Sequence, residues 1–413
     1  MTSPPLRRPP GRLPLGALRH RNFRLFSIGQ FISLSGTWMQ QVAVAWMVLQ
    51  MTNSAFAVGL VTMLGGLPMA MFTLYAGVLA DRIDKRRFLL LIQSLMLVVA
   101  TVLAVLTLAD AITLTWIMVL VACTGVLVAF DVPTRQAFVI EMVGKEDLIH
   151  AIAINSSVFN ATRVVGPAIA GALIAVAGVA AAFLVNAVSF VAVLAALLAM
   201  RFPPGSRVPA EVNARAAFHA GMRFVLERPG PRRLIILTGV VSIFGSSFVV
   251  MLPVLARDAL GVGADGYGVL VAATGLGSLA GALILAAFGG QLQRHRLIFL
   301  GAGTLGLILA VVGWIPWFGL SVVVLAMAGC AMIFTYVNIN TMLQTQAPDH
   351  LRGRVMGFYA FMALGLSPLG AFQIGWLSEQ FGPAWAITFG GIVTAVAAVW
   401  LGGSLLSPPT VTR

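Results

Sequence analysis

The segment Gly77-Val-Leu-Ala-Asp81-Arg82-Ile-Asp84-Lys85-Arg86-Arg87 sets two carboxylates and four cations between two apolar runs. A carboxylate ending one helix can meet the positive N-terminus of another. The bases can pair with acids on neighbouring helices, so the segment can latch one conformation. The alternative is a solvated loop whose charges only set orientation. Asp131, in Phe130-Asp131-Val-Pro133-Thr-Arg135-Gln136, is an acid near the end of an apolar run. It is either a proton-carrying carboxylate or half of a structural ion pair, and the bases nearby favour the pair.

Arg163 lies within Asn155-Ser-Ser-Val-Phe-Asn160-Ala-Thr162-Arg163-Val-Val-Gly166-Pro167-Ala-Ile-Ala-Gly171. It is fifteen residues into its run, roughly 22 Å along a helix, hence deep in a membrane. A guanidinium there needs water, an acid or a bound anion, and an anionic substrate explains it best. A structural role is the alternative, with Asn155, Asn160 and Thr162 as neighbours in either case. Downstream, Pro167 removes a backbone hydrogen bond, while Gly166 and Gly171 permit close helix contact, as suits a helix that bends or packs tightly.

Polar stripes mark faces that should not meet lipid. Gln30, Ser33, Thr37 and Gln41 recur at helical spacing, as do Thr238, Ser242 and Ser246. Thr335, Tyr336, Asn338, Thr341 and Thr345 form a third group, and Phe358, Tyr359, Phe361 and Met362 add an aromatic one. These residues either line a substrate cavity or make interhelical hydrogen bonds.

The elements that must carry these residues are membrane helices. Of 413 residues, 59% are hydrophobic and 9% charged, against about 25% charged in soluble domains. At roughly 20 residues per crossing, apolar runs fall at 23–50, 54–79, 88–108, 113–134, 148–176, 180–200, 233–256, 266–288, 297–315, 318–345, 353–377 and 384–406. Twelve spans put both ends on one side, and the first run is expected to be a retained span rather than a cleaved leader. All Lys and Arg except Arg163 and Arg257 fall before, after or between the spans on the side of the termini, so both termini are expected in the cytoplasm. The net charge of +13 therefore reads as a topology signal, not as nucleic-acid binding.

The expected organisation is a tail 1–22, a six-helix half 23–201, a linker 202–231, a second six-helix half 232–406 and a tail 407–413. In the linker, Ala217, Phe218, Met222, Val225 and Leu226 recur at helical spacing against Arg215, Arg223 and Arg228, which predicts an amphipathic helix at the inner membrane surface, read first as a helix covering the base of the protein. Segments 289–296 and 348–354 repeat, in decayed form, the charged connections of the first half, as in transporters built from parallel halves.

The Gly77–Arg87 segment closely resembles the signature between spans two and three of the major facilitator superfamily. The resemblance implies a fold of twelve transmembrane helices in two six-helix halves. It implies that Asp81 contacts the start of span eleven and that Lys85 pairs with an acid ending span four, here Asp131, with Gly77, Arg82, Arg86 and Arg135 in the same gate. Asp84 stands where that family usually has Gly. The Gly166-Pro167-x-x-x-Gly171 portion partly resembles the span-five antiporter signature, with Thr162 and Ala170 replacing two of its glycines. Residues 130–201 are similar to the branch that includes enterobactin and macrolide exporters.

That resemblance implies a secondary active exporter, a proton antiporter moving a bulky organic compound such as a siderophore or drug across the bacterial cytoplasmic membrane by alternating access. Span one has no acid, so the coupling proton is left to Asp131, to the substrate or to no group at all. Uptake or lipid flipping by the same fold is the nearest alternative, and a nontransporting sensor or scaffold the alternative of another class. The five histidines (His20, His150, His219, His295, His350) avoid span centres, and no phosphate loop, nucleophile elbow or metal motif occurs. The protein is thus expected to be a monomer in the lipid bilayer with no enzymatic activity, cofactor or metal, its partners protons and an organic substrate, anionic where it meets Arg163.

Overall fold

Long apolar sequences fold here as long helices because a backbone in hydrocarbon must satisfy every N–H and C=O internally. The computed structural model describes residues 16–144, 146–201, 214–289 and 291–402. The expected tails and the first part of the linker, up to residue 213, lie largely outside the described residues. Among those described there are helices and no strands.

The membrane helices are α1 (Arg21–Thr52), α2 (Ala55–Arg82), α3 (Lys85–Leu108) and α4 (Leu114–Val143), then α5 and α6 within Leu148–Ala199. The second half holds α7 (Pro229–Ala259), α8 (Ala264–Phe288), α9 (Arg294–Val312), α10 (Phe318–Gln346), α11 (Leu351–Phe381) and α12 (Pro383–Leu401). Gly178 divides α5 from α6. Its φ of 78° and ψ of 173° lie where an L side chain is strained, so one glycine makes the turn.

Within the first half α1 packs on α5 and α6, α2 on α4, and α3 on the Leu148–Ala199 pair; within the second, α8 packs on α10, and α9 on α10 and α12. Large side chains such as Val176 and Trp400 remain exposed, at 89% and 78%, on the surface that meets lipid. With lipid as apolar as a protein core, close packing and polar contacts must hold the helices together. Asn186 of α6 accordingly donates to Gln40 Oε1 of α1 at 2.6 Å, both groups buried.

Three expectations change. The fourth span does not stop at residue 134: α4 runs to Val143 through Pro133, which a membrane helix tolerates. Arg135 therefore lies inside α4, not in a connection. The linker does form a helix, Ala214–Glu227, but its buried side includes Phe224 and Val225 while Leu226 is 46% exposed. Arg228 stacks on Phe224, its guanidinium carbon 4.1 Å from the ring centre. The helix rests on the base of the second half, where the site of a Gly221 Cβ is 2.3 Å from the Arg354 carbonyl oxygen.

Candidate functional site

The two halves touch chiefly through α2 on α11 and α5 on α8. Both contacts are made by glycines. Gly59 of α2 opposes Gly375 of α11, and Gly171 of α5 opposes Gly268 of α8. All four sit toward the end of the bundle away from the termini. There, Trp46 of α1 stacks on Tyr267 of α8 with ring centres 6.0 Å apart. Arg257 of α7 donates to the Leu49 carbonyl near the C-terminus of α1 at 3.3 Å and forks onto Asp258 at 2.5 and 3.1 Å. The molecule is closed at this end.

Beneath the closure lies a cavity of about 410 Å³, within the range typical of small-molecule sites. It draws on α1, α2 and α4 from one half and α7, α8 and α11 from the other. Valines such as Val58, Val121 and Val250 dominate its wall, and Gln41, Thr62, Thr124, Ser242, Ser246 and Ser247 supply polar points. Ser242 donates to the Ala363 carbonyl at 2.9 Å, and Ser246 shares a 2.9 Å hydrogen bond with the Tyr336 hydroxyl. Tyr359 in turn donates to the Tyr336 carbonyl at 3.0 Å. Val241–Gly245 and Phe361–Gly365 are wide π-type turns, a distortion that recurs at functional sites.

Of the residues expected in the cavity, Gln41, Ser242 and Ser246 line it; Tyr336 and Tyr359 stand behind Ser246. Asn338 is buried and donates to the Phe334 carbonyl at 2.7 Å. Gln30 and Ser33 are buried inside the first half, and Thr37 donates to the Ser33 carbonyl at 3.0 Å. Asn155 is half-buried on α5. The sequence stripe missed Trp38 and Gln40, both of which line the cavity.

At the end nearer the termini, Asp131 of α4 pairs with Arg135 one turn later and accepts from Gln93 Nε2 of α3 at 2.7 Å. Arg135 also donates to Gln30 Oε1 of α1. Asp131 is 1% exposed, so its carboxylate holds three helices together. Lys85 is not its partner. Lys85 Nζ lies 2.7 Å from Glu141 Oε1, because the extended α4 carries Glu141 down to the start of α3, while Asp131 sits about 15 Å deeper at 1.5 Å per residue.

Arg86 donates to the Leu197 and Leu198 carbonyls at 2.9 and 3.0 Å, capping the end of α6. Arg82 is exposed. Asp84, the departure from the family signature, caps α3 by accepting from the Arg87 N–H at 3.0 Å. The expected contact of Asp81, like the surroundings of Gly77, lies outside the described residues. Gly166 faces α1, its Cβ site 2.6 Å from Trp38 Cβ; Pro167 and Gly171 face Gly268 of α8.

Arg163 is half-buried near the middle of α5, and among the described residues it makes no hydrogen bond or ion pair. No group of three or more His, Cys, Asp or Glu is placed to hold a metal ion among the described residues.

With this geometry in place, comparison with known proteins gives the chain's relatives. A family described as transmembrane secretion effector matches residues 13–408. The enterobactin exporter EntS of Escherichia coli O1:K1 / APEC is 32% identical over 406 residues, covering 95% of each chain. The multidrug efflux pump Tap of Mycolicibacterium fortuitum is 30% identical over 365 residues, covering 84% of this chain and 87% of Tap. A bacterial homologue of the human lysosomal transporter Spinster, solved inward-facing and unoccupied, superposes with a TM-score of 0.75 at 14% identity, over 93% of this chain and 97% of that one.

Proposed function

We propose, from the premise that this chain belongs to the transmembrane secretion effector family of the major facilitator superfamily, that it is a secondary active exporter of a bulky organic compound. The carrying observation is the cavity of about 410 Å³ shared by both halves and closed at one end by glycine contacts, one aromatic stack and a few hydrogen bonds. Such contacts part without breaking a covalent or buried ionic link. Rocking of the halves would expose the cavity to each side in turn.

The cargo is an amphipathic siderophore-like metabolite or drug. What supports this is the valine-rich wall with a few serine and glutamine points, together with relatives named as an enterobactin exporter and a multidrug efflux pump. The chain works as a monomer in the bacterial cytoplasmic membrane, both termini in the cytoplasm, and draws on the proton gradient. With that orientation the closed end faces outward and the conformation is inward-facing. Asp131 acts as a brace, since its pairing with Arg135 and Gln93 leaves no free carboxylate oxygen. The proton then travels by another group or with the substrate.

The test adds catecholate siderophores, macrolides and other amphipathic drugs to inverted, energised vesicles containing the protein. A compound that accumulates while the pH gradient falls supports proton-coupled export. Accumulation only in right-side-out vesicles overturns the direction, and accumulation without any pH change overturns the coupling.

A further inference from the structure

Exposure along one face of α5 shows where the halves part. At 3.6 residues per turn, Gly166, Pro167 and Ala170 share a face with Arg163, and all three are buried. Toward the termini the same face carries Phe159, Ile152 and Ile149, exposed by 45%, 54% and 79%. The opposing side of α8 follows the same course, from buried Gly268 and Gly275 through half-buried Ala282 to exposed Ala286. Arg163 stands at the level where the closed interface gives way to an open vestibule, and the Cβ site of Gly275 lies 3.0 Å from its carbonyl oxygen.

Two rings stand beside it. Phe159, one turn below Arg163 on that face, meets Trp38 of α1 edge to face, ring centres 6.0 Å apart. Trp38 also lines the apolar cavity above. The guanidinium and the aromatic pair thus stand between the exposed stretch of α5 and the cavity that Trp38 lines. The charge balance is one-sided: Asp131 and Arg135 offset each other, whereas Arg163 has no counter-charge among the described residues. An uncompensated intramembrane guanidinium marks a site that an anion completes.

We propose that Arg163 is the anion subsite of the transport path and that the substrate class is an amphipathic aromatic anion. Its carboxylate, sulfonate or similar group meets the guanidinium, its ring lies against Trp38 and Phe159, and its apolar body occupies the cavity. Movement of such a substrate rests on the exporter function proposed above; its binding does not.

The test uses two fluorescent probes with one skeleton, 8-anilino-1-naphthalenesulfonate and its uncharged parent N-phenyl-1-naphthylamine. Binding is measured to the full chain in nanodiscs, with empty nanodiscs as background. In Arg163→Gln the ratio of anion to neutral affinity should fall about tenfold, as expected for loss of a charge-assisted contact, while neutral binding reports an intact cavity. Arg163→Lys should keep most of the preference, and it decides the matter if Arg163→Gln does not fold. An unchanged ratio in Arg163→Gln, a lost preference in a folded Arg163→Lys, or no binding of the anion by the unaltered protein each overturns the subsite. Anion-selective binding without gradient-driven movement of the sulfonate in vesicles upholds the subsite and overturns the exporter.

Discussion

Glu379 near the end of α11 reaches across the halves to Ser54 at the start of α2: its Oε2 accepts from Ser54 Oγ at 3.0 Å and from the Phe56 N–H at 3.1 Å. Ser54 itself caps α2 by accepting from the Ala57 N–H at 3.1 Å. A carboxylate from one half thus supplements the N-terminal cap of a helix in the other. Such a placement is worth about 0.3–1 kcal/mol, enough to shift a gate with two near-equal states. Glu379→Gln is expected to raise the open fraction at this end about two- to fivefold, read as faster thiol labelling of a cysteine placed at Asn53. Unchanged labelling would mean that the glycine contacts, with the Trp46–Tyr267 stack and Arg257, set the closure without Glu379.

Those glycines define a second expectation. A Cβ at Gly268 would stand 2.6 Å from the Pro167 carbonyl oxygen and 2.8 Å from Gly171 Cα, both backbone atoms with no rotamer to yield. Gly268→Val should therefore be excluded from the closed arrangement. Spin labels at Ala111 and Trp317, in connections at the closed end, should show longer distances and transport should stop. Gly303→Ala, where nothing lies within 4 Å of the new Cβ, should leave both unchanged.

The twelve spans were legible because apolar length and charge placement are one-dimensional signals. Partners were less so. Pro133 and Arg135 looked like the end of a helix, but in the membrane Pro is tolerated, and Arg135 is neutralised by Asp131 and donates to Gln30 Oε1. With α4 nine residues longer than expected, the assignment of Lys85 to Asp131 fell too. The polar stripe on α1 mixed two destinations: Gln30 braces α4, Gln41 lines the cavity, and Gln40, outside the stripe, bonds Asn186. Spacing cannot separate these, since a polar residue avoids lipid equally well at a helix contact or in a cavity. Trp38 gave no signal, because an aromatic in an apolar run reads the same facing lipid or substrate.

Asp131→Asn would leave the Arg135 guanidinium without its buried carboxylate. Breaking such a pair from one side costs about 3–5 kcal/mol, so the unfolding temperature of the purified protein should fall sharply and transport with it. Asp131→Asn combined with Arg135→Gln removes both charges and should recover most of the stability. Full transport by Asp131→Asn alone would exclude the carboxylate as brace and as proton carrier alike.

Lys85 and Glu141 pose the reverse case, since their side chains are 15% and 46% exposed and a pair that solvent reaches is worth about 0–1 kcal/mol. Lys85→Glu should leave the unfolding temperature nearly unchanged. Its consequence should appear in gating, because the pair ties α3 to the end of α4 beside the charged loop. Lys85→Glu with Glu141→Lys restores opposite charges at the observed contact, whereas Lys85→Glu with Asp131→Lys places a second cation against Arg135. Recovery of transport in the first double variant only would fix Glu141 as the partner. Recovery in the second would return that role to Asp131, which the depth of Asp131 inside α4 forbids.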